Sequence, residues 1–185
     1  MRKILDAALG ILVRDGLPGL NTNRVAEEAG VNVSTVYAYF PDKLSIVSHL
    51  AEEFERKRGD YLAEHAKLLA TTGDWRGWYE EVIDRLAQFR TEEPGGIALR
   101  RAVMSSPELR HLDDESTDRA VESSVPGLLA HGAGLDREHV RGIAKTVALT
   151  MTVMLDSAFA TDHYDRQMIV ELKRMTNSYL ATYLD

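Results

Sequence analysis

The residues best placed to do chemistry lie between Asn21 and Lys43, NTNRVAEEAGVNVSTVYAYFPDK, and the chemistry they suit is recognition. The stretch reads as two short helices joined by Gly30-Val31-Asn32. A three-residue turn containing glycine is the spacing of a DNA-binding helix-turn-helix. Asn21 can cap the first helix and Asn32 the second. Ala26 is small where the two would cross, and Gly30 supplies the left-handed conformation that ends the first. Val31 plugs the core, while Val25, Ala29 and Val36 pack the pair against Ile4, Ala8 and Leu12. Val33, Ser34, Thr35, Ala38 and Tyr39 are then left outside the core. Small and hydroxylic side chains at the N-terminal end suit a helix that enters a major groove. That helix has no Arg, Lys, Gln or Asn, so its readout leans on methyl contacts from Val33 and Thr35 and on DNA shape.

No catalytic constellation accompanies this motif. Gly-x-Ser-x-Gly, His-Glu-x-x-His and the phosphate-binding P-loop are absent. There is no cysteine, which excludes a thiol nucleophile, a thiolate metal site and a disulfide framework. His111, His131, His139 and His163 have no metal-ligand spacing, and Gly132-Ala133-Gly134 is a turn with no strand before it. Neither an enzyme nor a cofactor is expected. A second group of residues suits a small molecule instead. Trp75, Trp78, Tyr79, Phe89, Met104, Met151, Met154 and Phe159 lie on apolar helix faces. Singly each is ordinary core; together, aromatic walls and adaptable methionines suit an apolar effector. The expected effector-binding set is Trp78, Phe89, Arg100, Met104, Met151, Met154, Asp156 and Phe159. Arg100 can meet an anionic group, although surface pairing is the ordinary role of Arg100-Arg101. Asp156, one turn from Thr152 and Phe159 in an apolar helix, is either hydrogen-bonded in the core or faces a ligand. Asp113-Asp114-Glu115 reads as a solvated turn or helix end, and Arg56-Lys57-Arg58 as a solvated basic run.

The elements that position these residues are helices throughout. The first, over 3–15, carries Ile4, Leu5, Ala8, Leu9, Ile11 and Leu12 at helical spacing and ends at Gly16. Asp42 caps a long helix to about Leu69 after Pro41 breaks the chain. Asp74 caps the next, and a short one covers Ile97 to Met104. Ser106-Pro107 opens another as N-cap and first residue, with Pro126 as its kink or break. Asp136 caps a helix to about Thr161, and the last runs from about Asp165 to Leu184. The fold class is therefore all-α, with a helix-turn-helix domain over 1–50 and a larger helical bundle over 51–185. Net charge is −7, and residues 1–58 hold equal numbers of acidic and basic side chains, so the whole acidic surplus lies beyond them. A nucleic-acid surface belongs in that neutral N-terminal part. No apolar run is long enough to span a bilayer and no secretory leader opens the chain, so a cytoplasmic protein without a membrane partner is expected.

At this point a resemblance becomes specific. Ile4, Leu5, Ala7-Ala8, Gly16, Thr22, Val25-Ala26, Ala29-Gly30-Val31, Tyr37, Phe40 and Lys43 fall at the spacing of the TetR (tetracycline-repressor) DNA-binding domain. The resemblance covers about residues 3–50, and the remainder in helix number and size alone. It implies roles residue by residue. Thr22 resembles the phosphate contact at the start of the second helix. Val33, Ser34, Thr35 and Tyr39 fall where the recognition helix meets bases. Tyr37 and Lys43 match a tyrosine and a lysine that reach phosphates. Asn23 and Arg24 join the DNA-binding set, Arg24 with a solvated face as its equal alternative. Three features depart from the pattern: Asn21 replaces the usual threonine cap, the recognition helix has no Arg, Lys, Gln or Asn, and the basic arm ahead of the first helix is nearly missing. The implied function is a dimeric regulator, in all expectation a repressor, that binds palindromic operator DNA and is released by a small apolar effector. The alternative is an all-helical small-molecule-binding module or enzyme in which the helix-turn-helix only packs. Val140, Ile143, Ala144, Val147, Met151, Met154, Leu155 and Ala158 on the penultimate helix, with Met168, Leu172, Met175, Tyr179 and Tyr183 on the last, are expected to build the homodimer as a four-helix bundle.

Overall fold

The computed structural model describes residues 1–132, 134–160 and 164–185. Among them every regular element is a helix: α1 (Arg2–Gly19), α2 (Thr22–Ala29), α3 (Val33–Tyr39), α4 (Lys43–Leu69), α5 (Trp75–Glu92), α6 (Gly96–Ser105), α7 (Arg110–His131), α8 (Arg137–Ala158) and α9 (Arg166–Leu184). Local chemistry sets most boundaries. Gly16, at φ 66°, interrupts α1, and Leu17–Gly19 form only a further helical turn. The Asp42, Asp74, Asp136 and Asp165 carboxylates accept from the backbone N–H of Ser45, Gly77, His139 and Met168, at 2.8–3.0 Å. Each of these satisfies an N–H that the helix itself leaves unpaired.

Three boundaries differ from expectation. Ser106-Pro107 does not open α7, which begins at Arg110. The Ser106 hydroxyl bonds the Glu108 carboxylate at 2.6 Å instead of capping, so residues 106–109 form turns. Pro126 does not break α7, which runs on through it to His131, and buried Val125 and Leu128 hold the segment on the core. Helix α8 ends at Ala158, short of Thr161, which lies outside the described residues with Ala133 and His163.

The helices form two compact units, residues 1–56 with 90–114, and residues 57–89 with 115–185. The boundaries fall inside α4, near the end of α5 and inside α7. In the first unit Ile4, Leu5, Ala8, Ile11 and Leu12 of α1 meet Val25, Ala26, Ala29 and Val36, and Phe40, Ile46, Val47 and Leu50 complete the core. Helix α6 packs on α1. Gly95, at φ 70°, lets the chain enter α6 where any Cβ would collide with the Leu9 side chain. The unit also buries charge. Arg100 of α6 pairs with Asp113 of α7 at 2.5 Å and Glu55 of α4 at 3.4 Å, and all three are buried. Arg100 is thus no surface residue and Asp113 no solvated turn. Two carboxylates compensate one guanidinium, which is what makes its burial tolerable.

In the second unit α5 lies between α4 and α9. The Trp78 indole donates to the His65 carbonyl at 3.0 Å, and His65 meets Glu81 at 3.2 Å. On the other flank Asn177 donates to Glu80 at 2.8 Å and Lys173 to Asp84 at 2.7 Å. Arg58, expected in a solvated run, is buried and donates to the Ser116 hydroxyl at 2.7 Å. Helix α7 is tied to α8 by Glu122 with Arg137 and Arg141, and by Asp118 with Lys145. Helices α8 and α9 pack together. That packing corrects the expected dimer face. Val140, Ile143, Ala144, Val147, Met151, Leu155 and Ala158 are buried within the protomer, as is Leu172 of α9. The apolar side chains left exposed are Leu149 and Val153 of α8 and Val170 and Met175 of α9.

Candidate nucleic-acid interface

The site is built by two caps and one glycine. The Asn21 side chain accepts from Arg24 N–H at 2.9 Å and starts α2. Gly30, at φ 64°, closes it, its N–H reaching the Ala26 and Glu27 carbonyls. The Asn32 side-chain oxygen accepts from the Ser34 N–H at 3.0 Å and starts α3. Only Val36 of α3 is fully buried. Val33 is half-buried, while Ser34, Thr35, Tyr37, Ala38 and Tyr39 are exposed, the two tyrosines at 53% each. The seven-residue helix thus buries Val36, half-buries Val33 and presents most of its remaining surface outward.

The expected DNA-facing residues sort into three groups. Thr22 and Tyr37 come together: their hydroxyl oxygens lie 2.9 Å apart, joining the start of α2 to the middle of α3. Lys43, at the start of α4, is half-buried and its ammonium donates to the Leu17 carbonyl at 3.3 Å, beside the turn that precedes α2. Asn23, Thr35 and Tyr39 are exposed, and the Tyr39 ring lies 6.4 Å from that of the buried Phe40. Two others have internal duties. The Ser34 hydroxyl donates to the Asn32 side-chain oxygen at 2.9 Å, so it belongs to the cap. Arg24 donates to the Gly19 carbonyl at 3.1 Å, pairs with Asp15 and lies 3.5 Å from Glu28, which also holds Arg14 at 2.5 Å. Arg24 therefore ties α2 to α1.

The eight expected effector residues divide between the units. Arg100 and Met104 are in the first: Arg100 is held by Asp113 and Glu55, and Met104 is exposed. The other six are in the second. Trp78 and Phe89 are buried on α5; Met151 is buried and Met154 and Asp156 are half-buried on α8. Phe159, buried just beyond α8, stacks on Tyr164 with centroids 4.8 Å apart.

Two domain families match this chain: "Bacterial regulatory proteins, tetR family" over residues 4–50 and "Tetracyclin repressor-like, C-terminal domain" over residues 73–184. The chain belongs to the TetR family of transcriptional regulators. Among curated relatives, the HTH-type transcriptional repressor KstR of Rhodococcus jostii is 46% identical over 56 residues, 30% of this chain and 26% of that protein. The class D tetracycline repressor of Escherichia coli is 33% identical over 58 residues, 31% of this chain and 27% of that one. These matches span about a quarter of the relatives' lengths. Solved structures match along the whole fold. A TetR-family regulator from Mesorhizobium loti shares 20% identity at a TM-score of 0.72, covering 99% of this chain and 94% of that one. The regulator FadR of Bacillus subtilis, solved with stearoyl-CoA, shares 20% at 0.67, covering 100% and 97%.

Within this TetR-family chain, the sequence pattern missed the residues whose role depends on distant partners. Glu55, Arg58 and Asp113 give no sign of burial, because their partners are 13 to 58 residues away. No helix among the described residues is long and apolar enough to cross a membrane.

Proposed function

We propose that the protein is a ligand-responsive repressor that binds near-palindromic operator DNA as a homodimer in the cytoplasm and leaves it when a small, mainly apolar effector binds. The observation that carries the DNA half is the paired hydroxyls of Thr22 and Tyr37, with Lys43 at the head of α4 and an exposed α3. Hydroxyls and an ammonium are phosphate partners, and α3 supplies what reaches the bases. Thr35 and Tyr39, with the half-buried Val33, are the sequence readers in this account. Ser34 contributes through the cap, and Arg24 by fixing α2.

The dimer needs an apolar face left open in the protomer. Leu149 and Val153 of α8 and Met175 of α9 supply one on two packed helices, and its duplication by a twofold axis gives the four-helix bundle. Two recognition helices about 34–36 Å apart then meet successive major grooves. For the effector, the buried aromatic and thioether side chains of the second unit favour an apolar body, and the acyl chain of the stearoyl-CoA bound to FadR of Bacillus subtilis is apolar. Repression is favoured by the repressor names of the KstR relatives. The test is selection of operator DNA from random sequence, followed by gel shift with the wild-type chain and Thr35→Ala. A discrete near-palindrome whose preference changes at one position per half-site in the variant supports the reading. Absence of any selected sequence rejects it.

A further inference from the structure

The outermost line of α3 carries one polar side-chain atom, and its hydrogen-bonding sense is fixed. A helix turns about 100° per residue, so Ser34 and Ala38, on either side of buried Val36 in the chain, both stand nearly opposite it. Both are exposed, and Ala38 offers only a methyl group. Ser34 Oγ is therefore the polar atom on that line. Thr35 and Tyr37 lie on its flanks, and the Tyr37 hydroxyl is engaged by Thr22.

A serine hydroxyl ordinarily rotates to donate or to accept, so by itself it tells bases apart poorly. Here Asn32 holds the rotor. The Asn32 side-chain atom that faces Ser34 accepts from the Ser34 backbone N–H at 3.0 Å, which identifies it as the amide oxygen, since an amide nitrogen there would set donor against donor. The Ser34 hydroxyl lies 2.9 Å from the same oxygen. An amide oxygen only accepts, so the hydroxyl proton points at Asn32. What Ser34 Oγ presents outward is lone pairs alone, and turning the proton outward would give up the bond to the cap.

We propose that Ser34 is a specificity-determining residue that reads operator DNA as an acceptor, taking a hydrogen bond from the exocyclic amine of adenine or cytosine in the major groove, and that Asn32 is the positioning residue that sets this polarity. Adenine N6 and cytosine N4 are the donors on the major-groove edges. Guanine offers N7 and O6 there, and thymine O4 and a methyl group, so either would face Ser34 Oγ with no proton between the two oxygens. Ser34 has this role when α3 enters the major groove, as the function proposed above requires, and holds it in addition to its part in the cap.

Operator DNA is selected with the full-length wild-type chain, and each half-site position is then replaced by the other base pairs. Affinities for this set are measured by fluorescence anisotropy for wild type, Ser34→Ala, Asn32→Ala and Asn32→Asp, with folding checked by circular dichroism. At one position the wild type should prefer adenine or cytosine by about fivefold, and Ser34→Ala should lose that preference while keeping the others. Asn32→Ala frees the hydroxyl and should flatten the same position. Asn32→Asp keeps an oxygen that accepts both bonds, so it should retain the preference while its charge weakens binding to all sequences alike. Replacing that adenine by unsubstituted purine, or that cytosine by pyrimidin-2-one, removes the amine alone and tells the two bases apart. The loss should weaken wild type about fivefold and leave Ser34→Ala unaffected. Ser34→Ala and the amine-free bases decide the outcome if Asn32→Ala does not fold. Unchanged base preferences in Ser34→Ala, loss in that variant of a preference for guanine or thymine, wild-type binding indifferent to the amine, or a preference lost in Asn32→Asp would each overturn the proposal with operator binding intact. Failure of the wild type to select any sequence would instead overturn the regulator reading, and the Ser34 contact with it.

Discussion

Asn32 shows how much a single side chain can hold. Its oxygen accepts from both the backbone N–H and the hydroxyl of Ser34, at 3.0 and 2.9 Å, so one residue starts α3 and fixes its first exposed side chain. Asn32→Ala should lower stability by about 1 kcal/mol, the usual worth of an N-cap, measured as a shift in the urea midpoint without a change in slope. Arg100 is held from further away. Its guanidinium is buried against Asp113 and Glu55, and removing one partner leaves charge uncompensated in the core. Asp113→Ala should therefore cost about 3–5 kcal/mol, read from the same denaturation curves; a change under 1 kcal/mol would contradict that pairing. The contrast explains what was legible at this scale. Asn21, Gly30, Asn32 and Asp42 act within four residues of themselves, so their roles follow from the order of residues. Arg58, Arg100 and Asp113 act across the fold, and nothing adjacent to them announces burial.

At the scale of the helix, hydrophobic periodicity reveals a buried stripe but not what buries it. Val140, Ile143, Val147 and Met151 form such a stripe on α8, and it is the protomer's own core that covers them. The exposed Leu149 and Val153 lie on another face of α8, between threonines and a serine, where no stripe stands out. Leu149→Asp should accordingly convert the protein to a monomer at micromolar concentration with little loss of helix content, checked by sedimentation and circular dichroism. A variant that remains dimeric would place the interface elsewhere. Glycine acts at this scale too: Gly95 could be read as part of a helix-breaking Glu-Pro-Gly-Gly run, but not as the point where α6 enters against Leu9 of α1.

For the whole molecule, the all-α class, the order of the helices and the helix-turn-helix were legible, because each rests on local pattern. That residues 90–114 form one compact unit with residues 1–56 was not, since the chain passes through α5 in between. In the proposed account the effector must favour one arrangement of the dimer and operator DNA another, with a reciprocal coupling typically about 1–3 kcal/mol. All of this depends on the DNA-facing surface being the one described, and Lys43 tests it most directly. Binding to the selected operator and to random DNA is measured for wild type and Lys43→Ala by fluorescence anisotropy across a salt series. The account predicts weaker binding of both DNAs by a similar factor, and a salt slope shallower by about one unit, the signature of one lost phosphate contact. Unchanged affinity and slope in Lys43→Ala would contradict it.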